Sequence, residues 1–257
     1  MTQLRIRPGR QALGGVSLFS CALLGLFAAP CVSAASCHSG KATDTLVSQP
    51  TSKIAWRAGV LHSTSVYATP RTSALPRGSV APVQAPWLLV LDATRAHDGR
   101  CWVKVRLPTR PNDASGWLQA EQVLLRPSAW SIAVSLAKRT LSVFRSGRVA
   151  LRVSVVIGAP TTPTPRGLFS IIGAWRSPPN AFLGSWILPL TAHSNALQEF
   201  EGGDGTVGVH GRGGASLLDP LGSARSHGCI RVSNPDIDWL VHSIGAPQLA
   251  GIPVRVQ

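Results

Sequence analysis

The run Cys101-Trp102-Val103-Lys104-Val105-Arg106-Leu107 alternates with a period of two and stops at a turn from Pro108 to Ser115. A strand turns successive side chains to opposite faces, so Cys101, Val103, Val105 and Leu107 share one face. Cys101 is then a small core hydrophobe. Gly116-Trp117-Leu118 opens the next strand. Short alternating runs between Gly- and Pro-containing turns recur along most of the chain and restrict it to a mostly β fold. No internal repeat or heptad pattern interrupts them.

Residues 54–127 form a first β unit, expected as a small barrel. A second unit, 130–257, starts with a meander. Ile132, Val134 and Leu136 lie on one side, Ala137-Lys138-Arg139 turns, Leu141 and Val143 return, and Ser146-Gly147 leads into Val149–Ile157. A Pro-rich loop, Thr161–Gly167, precedes a strand at Leu168–Ile172. Arg176–Glu201 has no clear period and is expected as a flap over a site. Strands follow at Val207–His210 and Gly251–Val256. One short helix is signalled between them. Ser233 or Asn234 caps it, Pro235 suits its first turn, Asp236 and Asp238 suit its positive end, and it runs to about Ser243.

Ahead of these units, Arg5, Arg7 and Arg10 precede an uncharged stretch, apolar mainly from Ala12 to Ala29 and ending near Val32-Ser33-Ala34. This reads as a signal peptide, residues 1–34, that directs the body out of the cytoplasm to the cell wall or periplasm. An uncleaved anchor and lipidation at Cys37 are the alternatives, and a membrane is a partner only in those cases. Residues 35–53 are a Ser/Thr-rich linker. The formal charge is +14, of which the three signal arginines contribute three, leaving +11. Such a charge favours anionic surroundings such as a wall. The positives are scattered and no base-reading motif is present, so nucleic acid is not an expected partner. Of the five cysteines, Cys21 and Cys31 fall in the signal; Cys37, Cys101 and Cys229 remain, an odd number. A Cys37–Cys101 disulfide is open at this level.

The chemistry concentrates near the C-terminus in Ser226-His227-Gly228-Cys229-Ile230-Arg231, with Val209-His210-Gly211 upstream. A thiolate attacks where a thiol does not, and a histidine within reach can take the thiol proton and return it to a leaving amine. Cys229 is the candidate nucleophile and His210 its base. In an extended segment His227, Cys229 and Arg231 share a face. Gly228 leaves room for a substrate carbonyl, and the N–H groups of Gly228 and Cys229 are candidate oxyanion donors. The Gly211 carbonyl can fix the His210 tautomer. Asp219, Asp236 and Asp238 read as loop and helix-start residues. Zinc on His210, His227 and Cys229 is the rival chemistry. His193 and His242 read as structural. Trp175 and Trp186 flank the expected flap and are candidates for substrate contact.

His210, fifteen intervening residues and then Ser226-His227-Gly228-Cys229 resemble the signature of the YkuD-type L,D-transpeptidases. The resemblance covers roughly residues 130–257, including the opening meander and Pro165-Arg166-Gly167. It implies a β-sandwich catalytic domain that forms 3→3 cross-links between peptidoglycan stem peptides through a cysteine thioester, with no metal or other cofactor. Cys229 would be nucleophile, His210 base and Gly211 the carbonyl that orients it. His227 and Gly228 would shape the acyl pocket, and Ser226 and Arg231 would bind substrate. Carbapenem-type β-lactams are the implied covalent inhibitors. Residues 54–127 resemble a bacterial SH3-like domain in the strand, turn and Gly116-Trp117-Leu118, which implies a wall binder or a spacer. A non-catalytic wall-binding protein and an L,D-carboxypeptidase are the alternative functions.

Overall fold

Seven strands make the N-terminal sheet: β1 (Ala55–Val60), β2 (Thr64–Tyr67), β3 (Pro76–Val80), β4 (Trp87–Arg95), β5 (Cys101–Arg106), β6 (Ser115–Gln119) and β7 (Val123–Ser128). All neighbours pair antiparallel, in the order β3-β2-β6-β5-β4-β1-β7. The structure, a computed structural model, describes residues 47, 49–178, 180–200 and 202–257. The expected signal segment, Cys21, Cys31, Cys37 and most of the expected linker lie outside the described residues.

The alternation on β5 does what its spacing dictates. Val103 and Val105 are fully buried against Ala58, Val66, Leu88, Val90 and Leu118, with Cys101 partly buried beside them. Trp102 on the opposite face is also buried and meets Tyr67 edge-on at 5.2 Å. The expected closed barrel is not formed: β3 and β7 remain edges. Both edges carry residues that resist further pairing, Pro76 and Arg77 on β3 and Arg126 and Pro127 on β7. Proline has no N–H to donate to a ladder, and edge charges oppose pairing.

The C-terminal part opens with the meander β8 (Trp130–Ser135), β9 (Thr140–Arg145) and β10 (Arg148–Ser154). Next come β11 (Ile157–Gly158), β12 (Gly167–Ser170), β13 (Trp175–Arg176), β14 (Trp186–His193), β15 (Thr206–His210), β16 (Ala224–Ser226) and β17 (Ile230–Arg231). Helices α1 (Asn234–Ile244) and α2 (Ala246–Leu249) precede β18 (Pro253–Val256). Two larger sheets, β10-β9-β8-β18-β12 and β13-β14-β15-β17, share one core, and β11 pairs with β16. That core joins Ile132, Leu141, Phe169 and Val254 of the first sheet to Leu188, Leu190, Val209 and Ile230 of the second. Ile237, Leu240 and Val241 of α1 complete it. The fold is therefore mostly β, with a sandwich in the C-terminal part.

Two expectations need correction. The expected helix is α1, which ends at Ile244, but it is not the one helix of this part: the short α2 follows after Gly245, where φ is +91°. Arg176–Glu201 is not one flap. Its middle is β14, an eight-residue strand inside the second sheet. Pro189 hides it in the sequence, because proline in a run argues against a strand. Here the β14–β15 register slips between Pro189 and Ala192, which accommodates it.

Candidate active site

Parallel pairing of β15 with β17 brings the two chemical motifs together. Val209 lies opposite Ile230 and His210 opposite Arg231. The pairing extends through Val232 N–H, which donates to the His210 carbonyl at 2.9 Å. Cys229 stands just before β17, and its Sγ accepts a hydrogen bond from the Gly208 N–H at 3.4 Å. A donor aimed at sulfur favours the thiolate. His210, His227, Cys229 and Arg231 line one pocket of about 50 Å³, walled by Phe182 and Leu183 on one side and Leu197 and Phe200 on another. A larger cavity of about 640 Å³ lies on the N-terminal sheet beside Val66, Arg77 and Arg110. Chemistry rather than size picks out the smaller one.

His210 is 1% exposed, and its Nδ1 lies 2.7 Å from the Gly211 carbonyl oxygen. A carbonyl only accepts, so Nδ1 holds the proton and Nε2 carries the lone pair. Burial depresses the His210 pKa from its ordinary 6.5 to about 4; the Gly211 carbonyl partly opposes this, the Arg231 charge adds to it, and the Leu183 backbone opposes it slightly. The ring is thus neutral near pH 7, as a base must be before it takes a proton.

Asn234, the first residue of α1, holds the segment after His210. Its Oδ1 accepts from Arg212 N–H at 2.9 Å and Ser185 N–H at 3.2 Å, and its Nδ2 donates to the Arg212 carbonyl at 2.9 Å. A Cβ on Gly211 would sit 2.1 Å from Asn234 Oδ1, so a larger residue there would push the Asn234 side chain off these hydrogen bonds. Ser233, not Asn234, is the cap, accepting from Asp236 N–H at 3.2 Å.

The cysteine loop is fixed by hydroxyls. Ser226 Oγ donates to the Cys229 carbonyl at 2.6 Å and accepts from Gly228 N–H at 3.2 Å. Thr164 Oγ1 accepts from Gly158 N–H and donates to the Gly228 carbonyl, both at 2.8 Å. Thr162 Oγ1 donates to the Ser226 carbonyl at 3.2 Å. Gly228 has φ +120°, a conformation that side chains rarely adopt. Its N–H, an expected oxyanion donor, is instead engaged by Ser226, which itself serves as a structural brace in the turn.

Arg231 also departs from expectation. It is 3% exposed, its Nη1 donates to Asp219 Oδ2 at 2.5 Å, and its guanidinium stacks over Phe182 at 4.8 Å. One arm is therefore committed to Asp219 and not open to a substrate carboxylate. Asp219, read from sequence as a loop residue, is that partner and is itself only partly buried. Arg212 secures its loop by donating to the carbonyls of Ser216, Leu217 and Asp219. His227 is exposed and stacks on Phe200 with ring centroids 5.2 Å apart. Among the described residues no three His, Cys, Asp or Glu side chains converge as a metal site, so His210, His227 and Cys229 do not form the ligand set considered above. His193 is buried, with Nε2 3.1 Å from Asp204 Oδ2. Neither Trp175, half-exposed on β13, nor Trp186, covered by Arg176 at 4.8 Å, lines the pocket. Phe182 and Phe200 are the aromatic residues that do. Neither stands in a periodic run, so the sequence held no signal for them.

A model of the L,D-transpeptidase catalytic domain, YkuD, matches residues 129–255. The C-terminal half of the chain belongs to the YkuD family. YkuD of Bacillus licheniformis, to which L,D-transpeptidase activity is ascribed, is 29% identical over 149 residues, covering 55% of this chain and 81% of its own length. YkuD of Bacillus subtilis is 31% identical over 108 residues, covering 42% of this chain and 56% of its own. The catalytic domain of the E. faecium L,D-transpeptidase is 24% identical, with a TM-score of 0.37 over 50% of this chain and 96% of that one. Within this YkuD domain, the pocket at the β15–β17 junction is the candidate active site.

Proposed function

We propose that this chain is an exported peptidoglycan L,D-transpeptidase that makes 3→3 cross-links through a thioester on Cys229. The observation that carries the reading is a buried, neutral His210 with Nδ1 committed to Gly211, in one pocket with Cys229. His210 Nε2 takes the thiol proton as Sγ adds to the carbonyl of the third stem residue. The bond to the fourth residue breaks, and its amine leaves with the proton from His210. An amine from a neighbouring stem then attacks the thioester. Its surplus proton passes by way of His210 to the departing sulfur, which restores the thiol and leaves a new amide. No ATP is consumed, because the energy of the cleaved peptide bond is kept in the thioester.

The small pocket suits this chemistry: it takes the reacting carbonyl while the peptide lies across its mouth, and Phe182 and Phe200 limit water. Export is supported by the arginines and apolar stretch before Val32-Ser33-Ala34, and the residual +11 charge suits an anionic wall. The test is incubation with a stem tetrapeptide and an acceptor stem, with products read by mass. The expected product is a dimer that has lost the fourth residue of the donor, absent with Cys229→Ala. Dimer formation by Cys229→Ala at the wild-type rate would refute the thioester. Release of the fourth residue with no dimer would make the protein a carboxypeptidase instead.

A further inference from the structure

The turn between β5 and β6 reaches out of the N-terminal sheet and ends on the backbone that walls the acyl pocket. Asn112 grips His193: its Oδ1 accepts from His193 N–H at 2.7 Å, and its Nδ2 donates to the His193 carbonyl at 2.8 Å and to Asn195 Oδ1 at 2.9 Å. Arg110 gathers three carbonyls from both ends of the β14–β15 connection. Nη1 donates to Ser194 at 2.9 Å, and Nη2 donates to Leu197 at 3.1 Å and Asp204 at 2.8 Å. The same connection supplies Ser194, Leu197, Phe200 and Gly205 to the pocket. Phe200 in turn stacks on His227, two residues before Cys229. A contact path thus runs from Arg110 through Leu197 and Phe200 to the cysteine loop.

The connection has braces of its own. Ser194 Oγ accepts from the N–H groups of Ala196 and Leu197, and Asp204 binds His193 and Thr206. Its two ends are tied by Ser194 N–H, which donates to the Gly205 carbonyl at 2.8 Å, and by His193–Asp204. Arg110 adds a tie that also takes in Leu197, from a planar, always charged group. No position on the N-terminal sheet lines the pocket itself; this loop is where the sheet grips a segment that does.

We propose that Arg110 and Asn112 are positioning residues for the acyl transfer, through which the N-terminal sheet holds the Leu197–Phe200 wall against the pocket. The inference rests on the transpeptidase reading. Holding that wall sets how a donor carbonyl meets Cys229 and how well water is kept from the thioester. A displacement of about 1 Å at a reacting centre can cost on the order of a hundredfold in rate.

The test compares the purified protein with Arg110→Ala, Asn112→Ala and Arg110→Lys in three measurements: acylation by a carbapenem, alkylation of Cys229 by iodoacetamide followed by peptide mass, and thermal unfolding. Acylation is expected to fall roughly tenfold or more in the alanine variants. Alkylation of Cys229 is expected to rise several-fold, because the small reagent needs access and no aligned wall. Arg110→Lys should recover part of the acylation rate. Unfolding would itself expose Cys229 to alkylation, so the opposite changes are read only in variants whose thermal unfolding lies well above the assay temperature. Wild-type rates of both reactions in folded variants would overturn the proposal. If the wild type takes no carbapenem at all, the transpeptidase reading fails, and alkylation alone decides: faster alkylation in the variants supports the wall, and unchanged alkylation removes it.

Discussion

At the scale of single residues, the site turns on a histidine kept neutral by burial. The folded chain holds His210 at about 4, against 6.5 when solvated. Between those values the unfolded chain carries a proton that the folded chain does not. The folded state is therefore favoured above pH 6.5, and this advantage drains as pH falls towards 4, by about 3 kcal/mol. Urea unfolding from pH 7 down to 4 should show wild type losing about that much more stability than His210→Gln. Parallel profiles for the two would contradict the burial argument. His210 and Cys229 were legible as a pair because their motifs are local and their side chains distinctive. Asp219 was not: a lone aspartate in a loop says nothing of an arginine twelve residues on until the fold brings them together.

At the scale of elements, the site is a junction of short pieces rather than a long scaffold. β16, β17 and the loop at Thr161–Gly167 are too short to show a period, yet they carry the hydrogen bonds that shape the Cys229 turn. α1 was legible because its capping residues, proline and acids sit in a fixed order. β14 was not, because its proline imitates a break. Thr164 is 4% exposed and joins Gly158 to Gly228 by one hydroxyl. Thr164→Val keeps the shape and strands both backbone groups, so it should destabilise the protein by roughly 1–3 kcal/mol. It should also slow acylation more than a surface change such as Thr72→Val. Denaturant midpoints and carbapenem acylation rates measure the two effects; a wild-type rate with a lowered midpoint would make Thr164 structural only.

At the scale of the whole molecule, the two β parts have separate hydrophobic clusters and polar joints. One joint is Arg110 and Asn112. Another is Arg57, which stacks over Trp87 at 4.9 Å and donates to the carbonyls of Gln248 at 2.7 Å and Ala250 at 3.1 Å, beside α2. Burial lowers the Arg57 pKa. Alternation made the β character of both parts legible, since it is a property of each strand alone. The open edges of the first sheet and the joints depend on which strands meet, and no single segment encodes that.

The account stands or falls on an activated thiol at Cys229. The most direct measurement is the intact mass of the purified protein after mixing with a carbapenem, beside Cys229→Ala and His210→Ala. Thiolate addition opens the lactam and expels nothing, so wild type should gain the mass of one whole inhibitor. Cys229→Ala should gain none, and His210→Ala should react at least a hundredfold more slowly, on the order expected for loss of a general base. An adduct of equal extent on Cys229→Ala, or none on folded, reduced wild type, would contradict the account.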